Sequence, residues 1–176
     1  AVVNPRGTWL YFTSLLWDAG RTGNVDYIGN QSLKAAVLRS GIGNPQSVWA
    51  LLVLIVGVVG AIAIRKHRSD VWMVTCIAAV AGLLVSPISW THHWVWVLPV
   101  VAIGFRARRT RPILAVTSAL ALLPALLQGV LWTMSPPPWW SVNMYCVAAV
   151  IWLVSTLVAV RTETGLEPAV GDVAKV

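Results

Sequence analysis

Val48-Trp49-Ala50-Leu51-Leu52-Val53-Leu54-Ile55-Val56-Gly57-Val58-Val59-Gly60-Ala61-Ile62-Ala63-Ile64 runs for 17 residues without a charge, and Arg65-Lys66-His67-Arg68 closes it. As a helix it reaches about 26 Å at 1.5 Å per residue, close to the thickness of a bilayer's hydrocarbon core. Four more apolar stretches follow, at residues 71–85, 93–105, 113–134 and 142–160. The first, fourth and fifth stretches have the roughly 17–25 residues that a spanning helix needs. The second and third are short, so they tilt, extend into residues 87–91, or form a re-entrant pair. Composition agrees: 57% of the 176 residues are apolar, 11% are charged, and mean hydropathy is +0.74. That excludes a soluble globular domain, a disordered chain and a disulfide scaffold. The net charge of +7 does not mark a nucleic-acid binder, because the basic residues sit between apolar runs. The expected fold class is an all-α integral membrane protein with about five transmembrane helices. Residues 1–47 form an external segment with short interfacial helices, 48–160 the transmembrane domain, and 161–176 a cytoplasmic tail.

Loop charges set the orientation. Arg65, Lys66 and Arg68 follow the first stretch, Arg106, Arg108, Arg109 and Arg111 follow the third, and Arg161 follows the fifth. Together they are eight of the 13 Lys and Arg, and the alternate loops at 86–92 and 135–141 carry none. Basic loops stay cytoplasmic. Residues 1–47, 86–93 and 135–141 therefore share the external face of a multi-pass cell-membrane protein. Lys34 and Arg39 run against the rule, which points to a local role. Of the 11 Trp, Trp9, Trp17, Trp49, Trp90, Trp94, Trp96, Trp132, Trp139 and Trp140 fall near that face, and Trp72 marks an inner end. An aromatic belt accounts for such placement; a sugar site lined by ring faces is the sharper alternative. The chain opens Ala1-Val2-Val3-Asn4-Pro5 without an initiator Met or signal peptide. An external N-terminal segment then implies upstream spans in a longer protein.

Locally, residues 8–19 read as an interfacial helix. Ser32 caps a short helix over 33–39, which Gly41 and Gly43 end. Pro99 and Pro124 kink their spans. Cys76 and Cys146 lie at different depths and read as packing residues. Asp70 reads as a loop charge partner beside Arg68.

Two constellations carry possible chemistry. Ser86-Pro87-Ile88-Ser89-Trp90-Thr91-His92-His93-Trp94 breaks the second stretch, since Pro87 turns Ser86 away from helical geometry. On a helix the two histidines point about 100° apart, so at most one faces a given site. Three readings stand: interfacial polar residues at a helix start, a metal pair, or a proton or phosphate contact. The metal reading lacks a further His or Cys at ligand spacing. The second constellation is Asn30-Gln31-Ser32 with Lys34 and Arg39. It reads either as a capped surface helix or as amides and hydroxyls suited to sugar hydroxyls or a phosphate, with Arg39 as a phosphate fork. Ser135-Pro136-Pro137-Pro138-Trp139-Trp140 is a stiff external loop, an anchor or a lid. Asp18 and Asp26 are the external carboxylates.

Gly29-Asn30-Gln31-Ser32-Leu33 with Arg39, followed by the Ser86–Trp96 motif, resembles glycosyltransferase family 87, the GT-C type polyprenol-phosphate-mannose-dependent α-(1→2) mannosyltransferases. The resemblance covers residues 25 to 100. It implies a multi-span inverting hexosyltransferase that moves mannose from a lipid phosphate carrier to a glycolipid or lipoglycan acceptor on the external face. It places His92 and His93 near the donor phosphate or acceptor hydroxyl as catalytic residues, with Asn30, Gln31, Ser32, Arg39, Ser89, Trp90 and Trp94 binding substrate. The family's presumed catalytic aspartate lies in an N-terminal half absent here, so this chain resembles the C-terminal part of such an enzyme, expected to be inactive alone. No cofactor or metal is implied; a divalent ion would need carboxylates from the missing half. The rival readings are a non-catalytic membrane fragment or assembly subunit, a transporter, which should show ionisable residues at mid-membrane and does not, and a haem protein, which lacks a second axial ligand.

Overall fold

A computed structural model describes residues 4–15, 18, 21 and 23–158 of the chain. Among them all regular structure is helical, and a lone antiparallel bridge joins Asn30 to Trp90. The helices are α1 (Pro5–Leu10), α2 (Leu33–Arg39), α3 (Pro45–Lys66), α4 (Val71–Val85), α5 (Val97–Ala107), α6 (Pro112–Leu120), α7 (Leu123–Leu131), α8 (Trp139–Val142) and α9 (Met144–Val158). Expectations for Leu16, Trp17, Ala19, Arg161 and the tail 161–176 lie outside the described residues.

Most helix starts carry a chemical reason. Asn4, Ser32, Asn44 and Asp70 each accept a hydrogen bond from a first-turn N–H, as N-caps do. Pro5, Pro45 and Pro112 occupy first-turn positions, where a missing N–H costs nothing. The interfacial helix expected from Thr8 therefore begins three residues earlier, at Pro5 behind the Asn4 cap, and passes into a π-helical turn, Tyr11–Leu15. Trp9 and Phe12 on it are 73% and 60% exposed, as a segment lying on a membrane surface would be.

The helices bury small and medium side chains against one another. On α4, Met73, Cys76, Ile77, Val80 and Leu84 form one helical face, and it meets α3 and α9. On α9, Tyr145, Cys146, Ala149, Trp152 and Leu153 do the same. Trp152 donates to Ser118 Oγ at 2.9 Å and ties α9 to α6. The opposite faces stay apolar: Leu51, Leu54, Ile55, Val58 and Ile62 on α3 are exposed. An apolar outside around a packed inside suits lipid, where burying carbon gains little and close packing holds helices together. Cys76 and Cys146 are both buried and free.

Two helical segments have the length and hydropathy to cross a membrane: Pro45–Lys66, and Pro112–Leu131 taken as one. The fourth expected stretch is broken between α6 and α7. Pro124 has no N–H to donate to Leu120 O, and a proline ring clashes with that carbonyl in a continuous helix. Pro99, by contrast, bends nothing. It sits in the first turn of α5, and the irregular residue is Trp94 (φ −78°, ψ 17°), inside the 3₁₀ turn Thr91–Trp96 that precedes α5. The third expected stretch thus supplies only 11 residues of α-helix. The fifth starts at Met144, because Asn143 (φ −124°) separates α8 from α9.

Candidate functional site

The segments at 24–40, 86–93 and 135–143 gather at one end of the bundle. Residues 29–32 and 87–91 are locked by five hydrogen bonds. Asn30 Nδ2 donates to Pro87 O (3.1 Å), and Asn30 Oδ1 accepts from Ser89 N (2.8 Å). Gln31 N donates to Ser89 O, Ser32 Oγ to Pro87 O, and Thr91 N to Gly29 O, at 2.8, 3.1 and 3.1 Å. Gln31 then reaches the third segment: its Nε2 donates to Val142 O (2.7 Å), and its Oε1 accepts from Tyr145 N (3.3 Å). Ser89 Oγ closes back on Leu83 O (2.6 Å). Asn30, Gln31, Ser32 and Ser89 are each 0% exposed. These amides and hydroxyls, read from the sequence as sugar contacts, spend their hydrogen bonds on the protein.

Arg39 is treated the same way. Nε and Nη2 both donate to Asn143 Oδ1, Nη1 to Asp26 O (3.2 Å) and Tyr27 O (2.9 Å), and Nη2 also to Asn30 O (3.0 Å). All five N–H bonds of the guanidinium are engaged, so the phosphate fork expected of Arg39 has no free donor in this conformation. Burial pulls Arg39 down to about 10, and Cys146 and, less so, the Asp26 carboxylate partly oppose that. Asn143, 0% exposed, was not singled out from the sequence. Its only signal there is an amide interrupting an apolar run. Lys34, the other cation against the charge rule, lies 4.7 Å over the Trp49 ring, a cation–π contact.

His92 and His93 stand exposed at the edge of this lock. Their rings touch edge to face, with centroids 4.4 Å apart. The pair lies in a 3₁₀ turn, where consecutive side chains leave the backbone about 120° apart, and the two rings nevertheless bend into contact. Burial first, then the His92 charge, hold His93 below its ordinary value. A 3₁₀ turn repeats every three residues, so Thr91, Trp94 and Val97 share a side. That side is the core: Trp94 is 4% exposed, and its ring lies 5.8 Å from Tyr145. Trp94, expected at the sugar pocket, is a packing residue beside an apolar cavity of ≈20 Å³. Trp90 is half-buried and keeps a ring face near Tyr27, centroids 6.0 Å apart. Among the described residues no three His, Cys, Asp or Glu side chains group as a metal site would require.

Residues 1–87 match the model described as Glycosyltransferase family 87. These residues belong to glycosyltransferase family 87. The family 87 region holds Asn30, Gln31, Ser32 and Arg39 and ends at Pro87, just short of the histidines. Among curated relatives, the polyprenol-phosphate-mannose-dependent alpha-(1-2)-phosphatidylinositol pentamannoside mannosyltransferase of Mycobacterium tuberculosis (strain CDC 1551 / Oshkosh) is 39% identical over 95 residues, 52% of this chain and 22% of that protein. The polyprenol-phosphate-mannose-dependent alpha-(1-2)-phosphatidylinositol mannoside mannosyltransferase of Mycobacterium tuberculosis (strain ATCC 25618 / H37Rv) is 35% identical over 67% of this chain and 28% of its own length. The protein of the same description from Mycolicibacterium smegmatis (strain ATCC 700084 / mc(2)155) is 31% identical over 88% of this chain and 40% of its own. The chain spans less than half the length of these relatives. No solved structure matches it.

Proposed function

We propose that this chain forms part of a multi-pass, inverting membrane mannosyltransferase. It takes mannose from a polyprenol-phosphate carrier and adds it to a phosphatidylinositol mannoside or related lipoglycan on the external face. The observation that carries this reading is the lock between residues 29–32 and 87–91, which sets an exposed histidine pair on a rigid edge. The printed names of the family 87 relatives supply the donor and acceptor. The absence of Lys and Arg from loops 86–92 and 135–141 supports the external placement.

In such a transfer the acceptor hydroxyl oxygen bonds to the anomeric carbon as the bond from that carbon to the carrier phosphate oxygen breaks. The hydroxyl proton passes to a base, and the polyprenyl phosphate leaves as an anion. A cation or N–H donor at that phosphate stabilises the charge where it develops. We assign His92 and His93 to that task, or to receiving the acceptor proton. Asn30, Gln31, Ser32, Ser89 and Arg39 act as positioning residues: they fix the backbone from which Trp90, His92 and His93 project.

The test is His93→Ala in the complete natural reading frame, with radiolabelled mannose transfer measured in membranes. Loss of a positioned acid or base group costs transfer about a hundredfold or more. Unchanged transfer removes the histidine from the reaction, and no transfer by the wild-type protein removes the transferase reading itself.

A further inference from the structure

We infer that Tyr27 and Trp90 together form a stacking platform for a hexopyranose ring, with Tyr27 as its outer, specificity-determining face. The inference rests on the transferase reading for the identity of the sugar and on its own geometry for the site. Tyr27 is 57% exposed, and its ring lies 6.0 Å from that of Trp90 at an interplanar angle of 58°. Two aromatic faces meeting at that angle make an open apolar corner. The C–H face of a pyranose is apolar and its rim is hydroxylated. It covers such a corner while the phenol offers a polar handle at the edge.

The backbone beneath this exposed ring is unusually well held. Tyr27 O accepts from Arg39 Nη1 (2.9 Å) and from Asn30 N (2.8 Å), Asp26 O accepts from Arg39 Nη1 (3.2 Å), and Tyr27 N donates to Asn24 O (3.2 Å). The ring leans over Gly29, where an added Cβ would stand 2.7 Å from Tyr27 Cε1. On the far side Gly23, at φ +123°, brings its loop against Trp90, leaving 3.5 Å between a notional Cβ and the indole edge. Trp90 is fixed in turn by its bridge to Asn30, and its carbonyl accepts from His93 N at 2.8 Å. The platform therefore adjoins the imidazole pair along one turn of backbone. A purely interfacial anchor needs an exposed aromatic; it does not need the carbonyl beneath it clamped by a half-buried guanidinium whose N–H groups are all engaged. Pre-organisation of this kind lowers the ordering cost of binding a ligand.

The experiment is saturation-transfer NMR on the chain in lipid nanodiscs, with methyl α-D-mannopyranoside as the probe. Tyr27→Ala should weaken binding about tenfold and Tyr27→Phe about twofold or less, since the phenylalanine keeps the ring face. Neither should move the melting temperature, because the ring is exposed. Mannoside binding that Tyr27→Ala leaves unchanged overturns the platform, as does the absence of saturation transfer to the wild type. Turnover is not involved. Mannoside binding without mannosyl transfer in membranes would sink the transferase reading and leave the platform standing. Transfer in membranes with a Tyr27→Ala variant that binds normally would do the reverse.

Discussion

The two ends of the bundle hold their cations in opposite ways. At the histidine end, Arg39 is surrounded by neutral acceptors: one amide oxygen and three carbonyls. At the arginine-rich end, Arg106 meets the carboxylate of Asp70, with side chains 55% and 32% exposed. There, too, Lys66 donates to Leu157 O and His67 lies 2.9 Å from Thr156 O, so the α3 terminus closes the last carbonyls of α9. A solvated pair screens itself and adjusts. A guanidinium fixed by dipoles from two segments, 24–40 and 135–143, allows no such adjustment, and its removal unties them from one another. The contrast separates a surface suited to the water–lipid boundary from a scaffold built to hold a loop still.

The largest effect expected follows directly. Arg39→Met leaves the buried Asn143 Oδ1 and Asn30 O without their donor, while Tyr27 O keeps Asn30 N and the exposed Asp26 O turns to water; it should cost about 3 kcal/mol of stability, at roughly 1–3 kcal/mol per stranded buried group. Thermal unfolding in nanodiscs measures it, and Arg39→Lys should recover part, because an ammonium replaces some of the donors but not the planar fork. If Arg39→Met costs no more than Arg106→Met, the two ends do not differ as described.

Much of this scaffold is legible in the sequence, and the illegible parts share a cause. The cap at Ser32, the helix 33–39 and the span 71–85 follow from local rules: a hydroxyl before an apolar periodicity, a glycine after it (Gly41, φ +71°), an apolar run between breakers. That residues 24–40, 86–93 and 135–143 come together also follows, because loop charges sort them to one end. What the sequence hides is where each polar group spends its hydrogen bonds. Asn30 and Arg39 look like ligand-binding groups because amides and guanidiniums bind ligands; only the fold shows Asn143 opposite Arg39 and Pro87 opposite Asn30. Asp70 makes the same point at the other end. Its partner is Arg106, 36 residues away, and not its neighbour Arg68. Trp94 makes it again: its substrate role came from the resemblance, and only the fold shows its ring packed in the core beside Tyr145.

The arginine-rich end sharpens the comparison with a smaller number. Arg106→Met should cost about 0.5 kcal/mol, as exposed ion pairs do, and the difference should shrink in high salt. Asp70 also caps α4. Burial alone would raise its carboxyl, but the Met73 N–H and then Arg106 outweigh burial and hold it below 3.8. A carboxyl with a depressed folded pKa stabilises above its unfolded value, and that contribution is lost as pH falls through the folded one. Unfolding followed from pH 6 down to about pH 2 should therefore show a loss below pH 4 that Asp70→Asn abolishes. A salt-insensitive Arg106→Met would mean that this pair is more shielded than its exposure implies.

The smallest effect tests the histidine pair. Burial, and secondly the charge of His92, keep His93 below 6.5. The unfolded chain then takes up its proton first as pH falls. The stability present above 6.5 is lost through the window beneath it, until the folded His93 is protonated as well. Above that window His93 is neutral and free to accept a proton, so mannosyl transfer should decline as pH drops into it. His92→Gln removes the like charge and leaves the burial, which is the larger cause. His93 should consequently titrate higher than in the wild type but still below 6.5 in a ¹⁵N-imidazole NMR series. No upward movement at all would mean that the two rings, with centroids 4.4 Å apart, do not stay in contact in the membrane. The rigid edge would then present one imidazole to substrate, and the phosphate and proton roles would fall to a single side chain.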